Sequence, residues 1–193
     1  LIRASSGNIS ARIEKEELMA ITPTGIRYDL LSLEDITVCD WTGSVVDGSK
    51  NPSSEFRMHA AIYEAFPNIN GIVHTHSPYA TAFAAVGKPI PPVLTAICDE
   101  FGGEIPVGGF APIGDEAIGK EVVKSIGSSP AILMQNHGVF TIGKTAKAAV
   151  KAAVMVEDVA RTIFFALQLG ELKPIPPDMI ARLHKRYTEQ YGQ

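Results

Sequence analysis

The chain has 193 residues, 46% apolar and 20% charged, which excludes disordered and collagen-like chains and fits one hydrophobic core better than two domains. Its 21 acidic residues outnumber 17 basic ones, and the formal charge of −4 removes the electrostatic footprint of a dedicated nucleic-acid binder. No apolar run reaches the ~18 residues of a membrane span, and no charged segment followed by an apolar one reads as a secretory signal. Cys39 and Cys98 lie far apart and outside any C-x-x-C pattern. Zinc ribbons, ferredoxins and disulfide frameworks are therefore not expected, and a reducing cytoplasm is the expected compartment.

Residues 8–13 and 18–21 read as strands, followed by a Thr22-Pro23-Thr24-Gly25 turn with Pro and Gly in turn-favouring places. Residues 36–39 and 44–46 flank 40–43 as a hairpin. Ser53 and Ser54 offer hydroxyls to cap a helix from about residue 54 to Phe66, which Pro67 stops. A buried strand is predicted at 71–74, then a helix over 78–86 that opens on Pro78 and closes at Gly87. The Gly102-Gly103 and Gly108-Gly109 pairs read as loop. A helix over 115–126 leads into an apolar strand at 131–134, and Asn136-His137-Gly138 turns into another at 139–142. The longest periodic segment, 146–169, is alanine-rich and ends at Gly170. Past the breaker at 174–177, a short helix is predicted over 178–187. Interspersed helices with early hairpins predict one domain over residues 1–193. Its fold class is a three-layer α/β/α arrangement around a central mixed, mainly antiparallel sheet.

His74-Thr75-His76 ends a buried strand, and side chains at i and i+2 share a face, so both imidazoles can converge on one ion. His137 ends another apolar strand beside Gly138. Three histidines with one open position suit a catalytic zinc site; spacing alone leaves open a set of polar strand ends. Glu55 lies near the start of a helix, where a carboxylate is favoured by the dipole whatever its role. His59, four residues on, shares its helical face and offers an alternative ligand pair, but reads better as a packed or hydrogen-bonded structural histidine. His184 sits in a charged tail where an exposed imidazole needs no explanation. Gly7-Asn8, Thr24-Gly25 and Ser53-Ser54 could each offer backbone N–H groups to an anion, although turns and caps use the same residues. No P-loop or dinucleotide glycine motif is present.

Five segments occur in order: Gly-Asn-Ile-Ser at 7–10, Thr-Pro-Thr-Gly-Ile at 22–26, Pro-Ser-Ser-Glu at 52–55, Val-His-Thr-His at 73–76 and Asn-His-Gly at 136–138. Together they resemble the class II aldolase/adducin family over nearly the whole chain. The resemblance implies a zinc enzyme acting on ketose phosphates, with one zinc per subunit, and a homotetramer with active sites between subunits. It implies no nucleic-acid or membrane partner. It also implies a helix before the Gly-Asn segment, which the chain, starting at Leu1, does not include. By motif, His74, His76 and His137 match the family's zinc ligands. Asn8, Thr24, Gly25, Ser53 and Ser54 match its phosphate-binding positions, and Glu55 matches the carboxylate beside the metal.

Two activities share this chemistry. An aldolase releases the aldehyde after the C3–C4 bond breaks, and needs a base for a carbon-bound proton in the reverse direction. A 4-epimerase keeps the aldehyde, turns it over and re-adds it, which requires proton-handling groups on both sides. The Asp99-Glu100-Phe101 segment and the terminal Tyr191-Gly192-Gln193 are similar to epimerase segments, whose Asp and Tyr serve those two sides. Glu55 after two serines follows the aldolase pattern instead. The resemblance therefore implies Glu55, Asp99 and Tyr191 as catalytic residues, with the epimerase first and an L-fuculose-1-phosphate-type aldolase second. A non-catalytic adducin-like binding domain is the third reading, and the intact histidines oppose it.

Overall fold

The computed structural model describes residues 1, 5–13, 16–113 and 116–190. Four strands come first: β1 (Asn8–Ile13), β2 (Leu18–Ile21), β3 (Thr37–Asp40) and β4 (Val45–Asp47). Each pairs antiparallel with the next. The β3–β4 turn is held by the Asp40 carboxylate, which accepts from the Thr42 and Ser44 backbone N–H groups at 2.8 and 2.9 Å. Helix α1 (Phe56–Ala65) then leads to the fully buried strand β5 (Gly71–Thr75) and to α2 (Pro78–Ala85). Next come α3 (Thr95–Phe101), β6 (Val107–Gly108) and α4 (Ala117–Ser125). Strands β7 (Ala131–Met134) and β8 (Gly138–Gly143) precede α5 (Ala146–Leu169) and α6 (Pro177–Gln190).

Among the described residues the strands form one sheet of eight, ordered β4-β3-β2-β1-β5-β8-β7-β6. All pairings are antiparallel except β6 with β7, so the expected mixed, mainly antiparallel sheet is what forms. Period-two alternation divides its residues between two helical layers. Ile72, Ile132, Met134 and Phe140 pack with Met58 and Ile62 of α1 and Ile118 and Val122 of α4. On the opposite face Ala131, Leu133 and Val139 pack with α2, α3 and the buried Ala152, Val156, Val159 and Ala160 of α5. Small residues let α5 lie close to the sheet. A Cβ at Gly71 would sit 2.4 Å from the backbone of Thr145 and Ala146.

The strands at 8–13, 18–21 and 131–134 and the helix over 146–169 match their sequence-based bounds. Others differ for local reasons. Ser53 and Ser54 do not cap α1; its N-cap position is Glu55, and the Ser53 hydroxyl instead accepts from the Glu55 N–H at 3.3 Å in a tight turn. The helix expected from 115 begins at Ala117, with Asp115 outside the described residues. The segment around Asp99, for which the sequence reading gives no element, is the helix α3. The charged tail is docked, not free. His184 Nδ1 donates to the Asp99 carbonyl at 2.8 Å, and Tyr187 joins Glu100 (2.7 Å) and Lys151, seating α6 on α3.

Candidate metal centre

Register on the sheet assembles the site. His74 of β5 lies opposite Asn8 of β1 on one side and Phe140 of β8 on the other. Its imidazole stacks on the Phe140 ring at 4.3 Å between centroids. His76 follows two residues on, and the turn before β8 brings in His137, with Asn136 in the left-handed region at φ 60. Ring centroids of the three histidines are 4.7 to 5.0 Å apart, and one ligand nitrogen from each lies within 4.8 Å of the others. Gly138 makes this convergence possible, since a Cβ there would meet Thr75 O at 2.5 Å and His76 Cδ2 at 2.8 Å. His74 is fully buried and His76 is exposed, so the cluster opens on one side.

The donor atoms have a defined polarity. His74 Nδ1 lies 2.9 Å from the Val139 carbonyl, which can only accept, so neutral His74 turns its Nε2 lone pair inward. That atom faces His76 Nε2 at 2.9 Å, and both ring nitrogens of His137 are buried with no hydrogen-bond partner. Burial, with the neighbouring His137 and His76, holds His74 well below the usual imidazole range; burial, then His76, takes His137 down to about 4. Near neutrality His74 and His137 are therefore uncharged lone-pair donors. Glu55 completes it: Oε2 is 3.6 Å from His74 Nε2 and Oε1 is 3.7 Å from His137 Nε2. Burial raises the Glu55 carboxyl, while a 2.5 Å hydrogen bond from Asn8 Nδ2 and the nearby His76 act in the other direction.

The fold that carries the site has close counterparts. Residues 1–164 match the family described as Class II Aldolase and Adducin N-terminal domain. The chain belongs to that family. It is 34% identical to the L-ribulose-5-phosphate 4-epimerase UlaF of Salmonella paratyphi B, across 100% of this chain and 88% of that one. An L-fuculose 1-phosphate aldolase structure superposes with a TM-score of 0.89 at 30% identity, covering 96% of this chain and 87% of the other. A second, from Glaciozyma antarctica PI12, gives 0.80 at 27% identity, covering 96% and 74%.

As in class II aldolases, the donor set fits a divalent metal. Three imidazoles with convergent nitrogens and a carboxylate beside them leave His137 buried with no hydrogen-bond partner for either ring nitrogen, and a cation would take up the lone pair of one of them. His74, His76 and His137 would hold it, with Glu55 within reach. His59 is not among the ligands. It is fully buried on the other side of Asn8, with Nε2 2.5 Å from Asn8 Oδ1 and Nδ1 2.6 Å from Ser10 Oγ. The packed, hydrogen-bonded reading of this histidine is the correct one.

Thr22 stitches the three anion-binding candidates together. Its N–H donates to the Ile9 carbonyl and its carbonyl accepts from the Ser53 N–H, both at 3.0 Å. Pro23 bridges to Pro52, so the segments around Asn8, Thr24-Gly25 and Ser53-Ser54 meet beside Glu55. Ser53 is buried, whereas Thr24, Gly25 and Ser54 are exposed. Asp99 is half-buried on α3, with Oδ1 buried and unpartnered; among the described residues no hydrogen bond or ion pair joins it to His74, His76, His137 or Glu55. Tyr191 lies outside the described residues, just beyond α6. Sequence reasoning missed Ser10 and Tyr63, which continue the hydrogen-bonded chain from Glu55 into the core. Their signal is the spacing Asn8, Ser10, Arg12 on a strand against Glu55, His59, Tyr63 on a helix.

Proposed function

We propose that the protein carries out zinc-dependent retro-aldol chemistry on a ketose phosphate, and that it epimerises L-ribulose 5-phosphate at C4. The observation that carries this reading is the convergence of three imidazoles on an open face with Glu55 beside them. The similarity to the 4-epimerase UlaF over the whole chain supports the substrate class. Zinc, when bound, supplies Lewis-acid polarisation of the ketose carbonyl, one subunit holding one ion.

The chain's own residues do the rest. Asn8, Thr24, Gly25, Ser53 and Ser54 bind the phosphate through turn N–H groups and hydroxyls, a neutral cradle consistent with the absence of a lysine-bearing loop motif. Glu55, raised by burial and held by Asn8, takes or holds a proton next to the reacting carbons. Asp99 and Tyr191 handle the C4 hydroxyl proton on the two faces of the aldehyde. Because among the described residues no hydrogen bond or ion pair joins Asp99 to His74, His76 or His137, this reading has active sites between subunits of a homotetramer. The docking of α6, which precedes Tyr191 in the sequence, on the helix that carries Asp99 supports a joint role for the two residues. Light scattering showing an active monomer, or full activity after removal of residues 191–193, would refute that arrangement.

An L-fuculose-1-phosphate-type aldolase is the second reading, favoured by Glu55 following two serines and by the likeness to the aldolase structure. NMR in heavy water separates the two. The epimerase reading expects L-ribulose 5-phosphate to become D-xylulose 5-phosphate with no deuterium at carbon, and Asp99→Asn to slow turnover by roughly 10²–10⁴-fold. Rapid exchange of a carbon-bound proton of dihydroxyacetone phosphate, lost in Glu55→Gln and without pentulose epimerisation, would establish the aldolase.

A further inference from the structure

Three residues on β1 and three around α1 meet in matched steps. Asn8, Ser10 and Arg12 recur every second residue along a strand, an advance of about 6.7 Å; Glu55, His59 and Tyr63 recur every fourth residue along a helix, about 6 Å. The near-equal advance lets the two rows interlock without a gap. Asn8 Nδ2 lies 2.5 Å from Glu55 Oε2, and Asn8 Oδ1 lies 2.5 Å from His59 Nε2. His59 Nδ1 lies 2.6 Å from Ser10 Oγ, and Ser10 Oγ lies 2.8 Å from Tyr63 Oη. Arg12 closes the row, its guanidinium 4.8 Å from the Tyr63 ring centroid and donating to the Tyr63 carbonyl. Asn8, Ser10, His59 and Tyr63 are all buried, with His59 and Tyr63 showing no exposed surface.

Only one direction of donation fits an ionised Glu55. A carboxylate accepts, so the amide nitrogen of Asn8 faces it and the amide oxygen faces His59. That oxygen needs a donor, which sets His59 as the Nε2–H tautomer. Nδ1 then accepts from the Ser10 hydroxyl, and the Ser10 oxygen accepts from Tyr63. Burial keeps both ends in these states, pushing His59 down to about 3 and Tyr63 up to about 12.

We infer that His59 is a positioning residue: by donating from Nε2 it fixes the orientation of the Asn8 amide, and through that amide it aims the Glu55 carboxylate at the histidine cluster. Without the donor on its oxygen, the Asn8 amide is held only by its bond to Glu55, and amide and carboxylate can swing together. The inference rests on the proposed function only for its catalytic consequence, since the tautomer and the metal site belong to the resting protein.

The test uses ¹⁵N-histidine-labelled protein together with His59→Leu, His59→Gln and Tyr63→Phe, each checked for folding by circular dichroism. Long-range ¹H–¹⁵N spectra are expected to show His59 as a single Nε2–H tautomer; an Nδ1–H tautomer would overturn the inference. Zinc affinity, measured by chelator competition with zinc alone, should fall about 10-fold or more in His59→Leu, within the 10–100-fold range of residues that orient metal ligands. It should recover in His59→Gln, whose amide can still donate to Asn8, and change less in Tyr63→Phe. With ketose phosphate, kcat should fall in the Leu variant with KM nearly unchanged. A folded His59→Leu protein with wild-type zinc affinity refutes the inference. If the wild type turns over no ketose phosphate, the functional reading fails, and tautomer and zinc affinity decide this one alone.

Discussion

Gly138→Ala tests how tightly the histidine cluster is built. Gly138 does not have a positive φ, so the added methyl causes no backbone strain and acts through space alone. Its Cβ would lie 2.5 Å from Thr75 O, 2.8 Å from His76 Cδ2 and 3.2 Å from His74 Cε1. An ordinary carbon–oxygen contact is about 3.3 Å, so the backbone between His74 and His76 must retreat by roughly 0.8 Å. That exceeds the ~0.5 Å within which a functional constellation works. The overpacking should cost about 1–3 kcal/mol, or a fall in Tm of about 2–12 °C for a chain of this size. Zinc affinity should drop at least 10-fold, because two of the three imidazoles move together. Chelator competition and thermal melts measure both, with Gly103→Ala as control, since a Cβ there meets nothing within 4 Å. A Gly138→Ala protein that binds zinc and melts like the wild type would refute this account of the cluster.

His76→Ala should remove the metal while keeping the fold, because His76 is exposed and no core residue packs through it; elemental analysis and circular dichroism check this. The His59 imidazole, neutral down to about 3 in the folded state against 6.5 when unfolded, should lower stability as pH falls below 6.5. The unfolded chain binds the proton and the native one does not, so the loss approaches about 1.4 kcal/mol per pH unit until the folded value is reached. Urea titrations between pH 7 and 4.5 should show a shallower acid limb in His59→Gln. Glu157→Ala should cost about 1–3 kcal/mol in melts, since that carboxylate accepts from the Tyr79 and Ala80 N–H groups at 3.1 and 3.0 Å and so caps α2 just past His76.

What the sequence made legible were features carried by a single local period. The β5 strand with its paired histidines, the alanine-rich α5 and the Asn136–Gly138 turn each announce themselves within one element. Helix α3 escaped because it has seven residues, follows Pro91-Pro92 and carries no full apolar stripe. His184 looked like tail because its partner, the Asp99 carbonyl, is backbone on that unread helix. The chain from Glu55 to Tyr63 was hidden for a different reason. Its members belong to two periods, two on a strand and four on a helix, and only the β1–α1 packing brings those periods into step. The capping of α1 failed in the same way, the Ser53 N–H being taken up by the Thr22 carbonyl, which ties Ser53 to the turn at Thr22 instead of to an ordinary helix start.

The central claim is that carbon–carbon bond cleavage depends on metal held by His74, His76 and His137. The most direct measurement is a zinc titration of chelator-stripped protein, following turnover of L-ribulose 5-phosphate and L-fuculose 1-phosphate by NMR. The account predicts no turnover in the stripped protein and activity toward one of these substrates that rises to a plateau at one zinc per chain. Turnover that is unchanged by stripping, or that returns in a folded His76→Ala protein at the same zinc level, would contradict it.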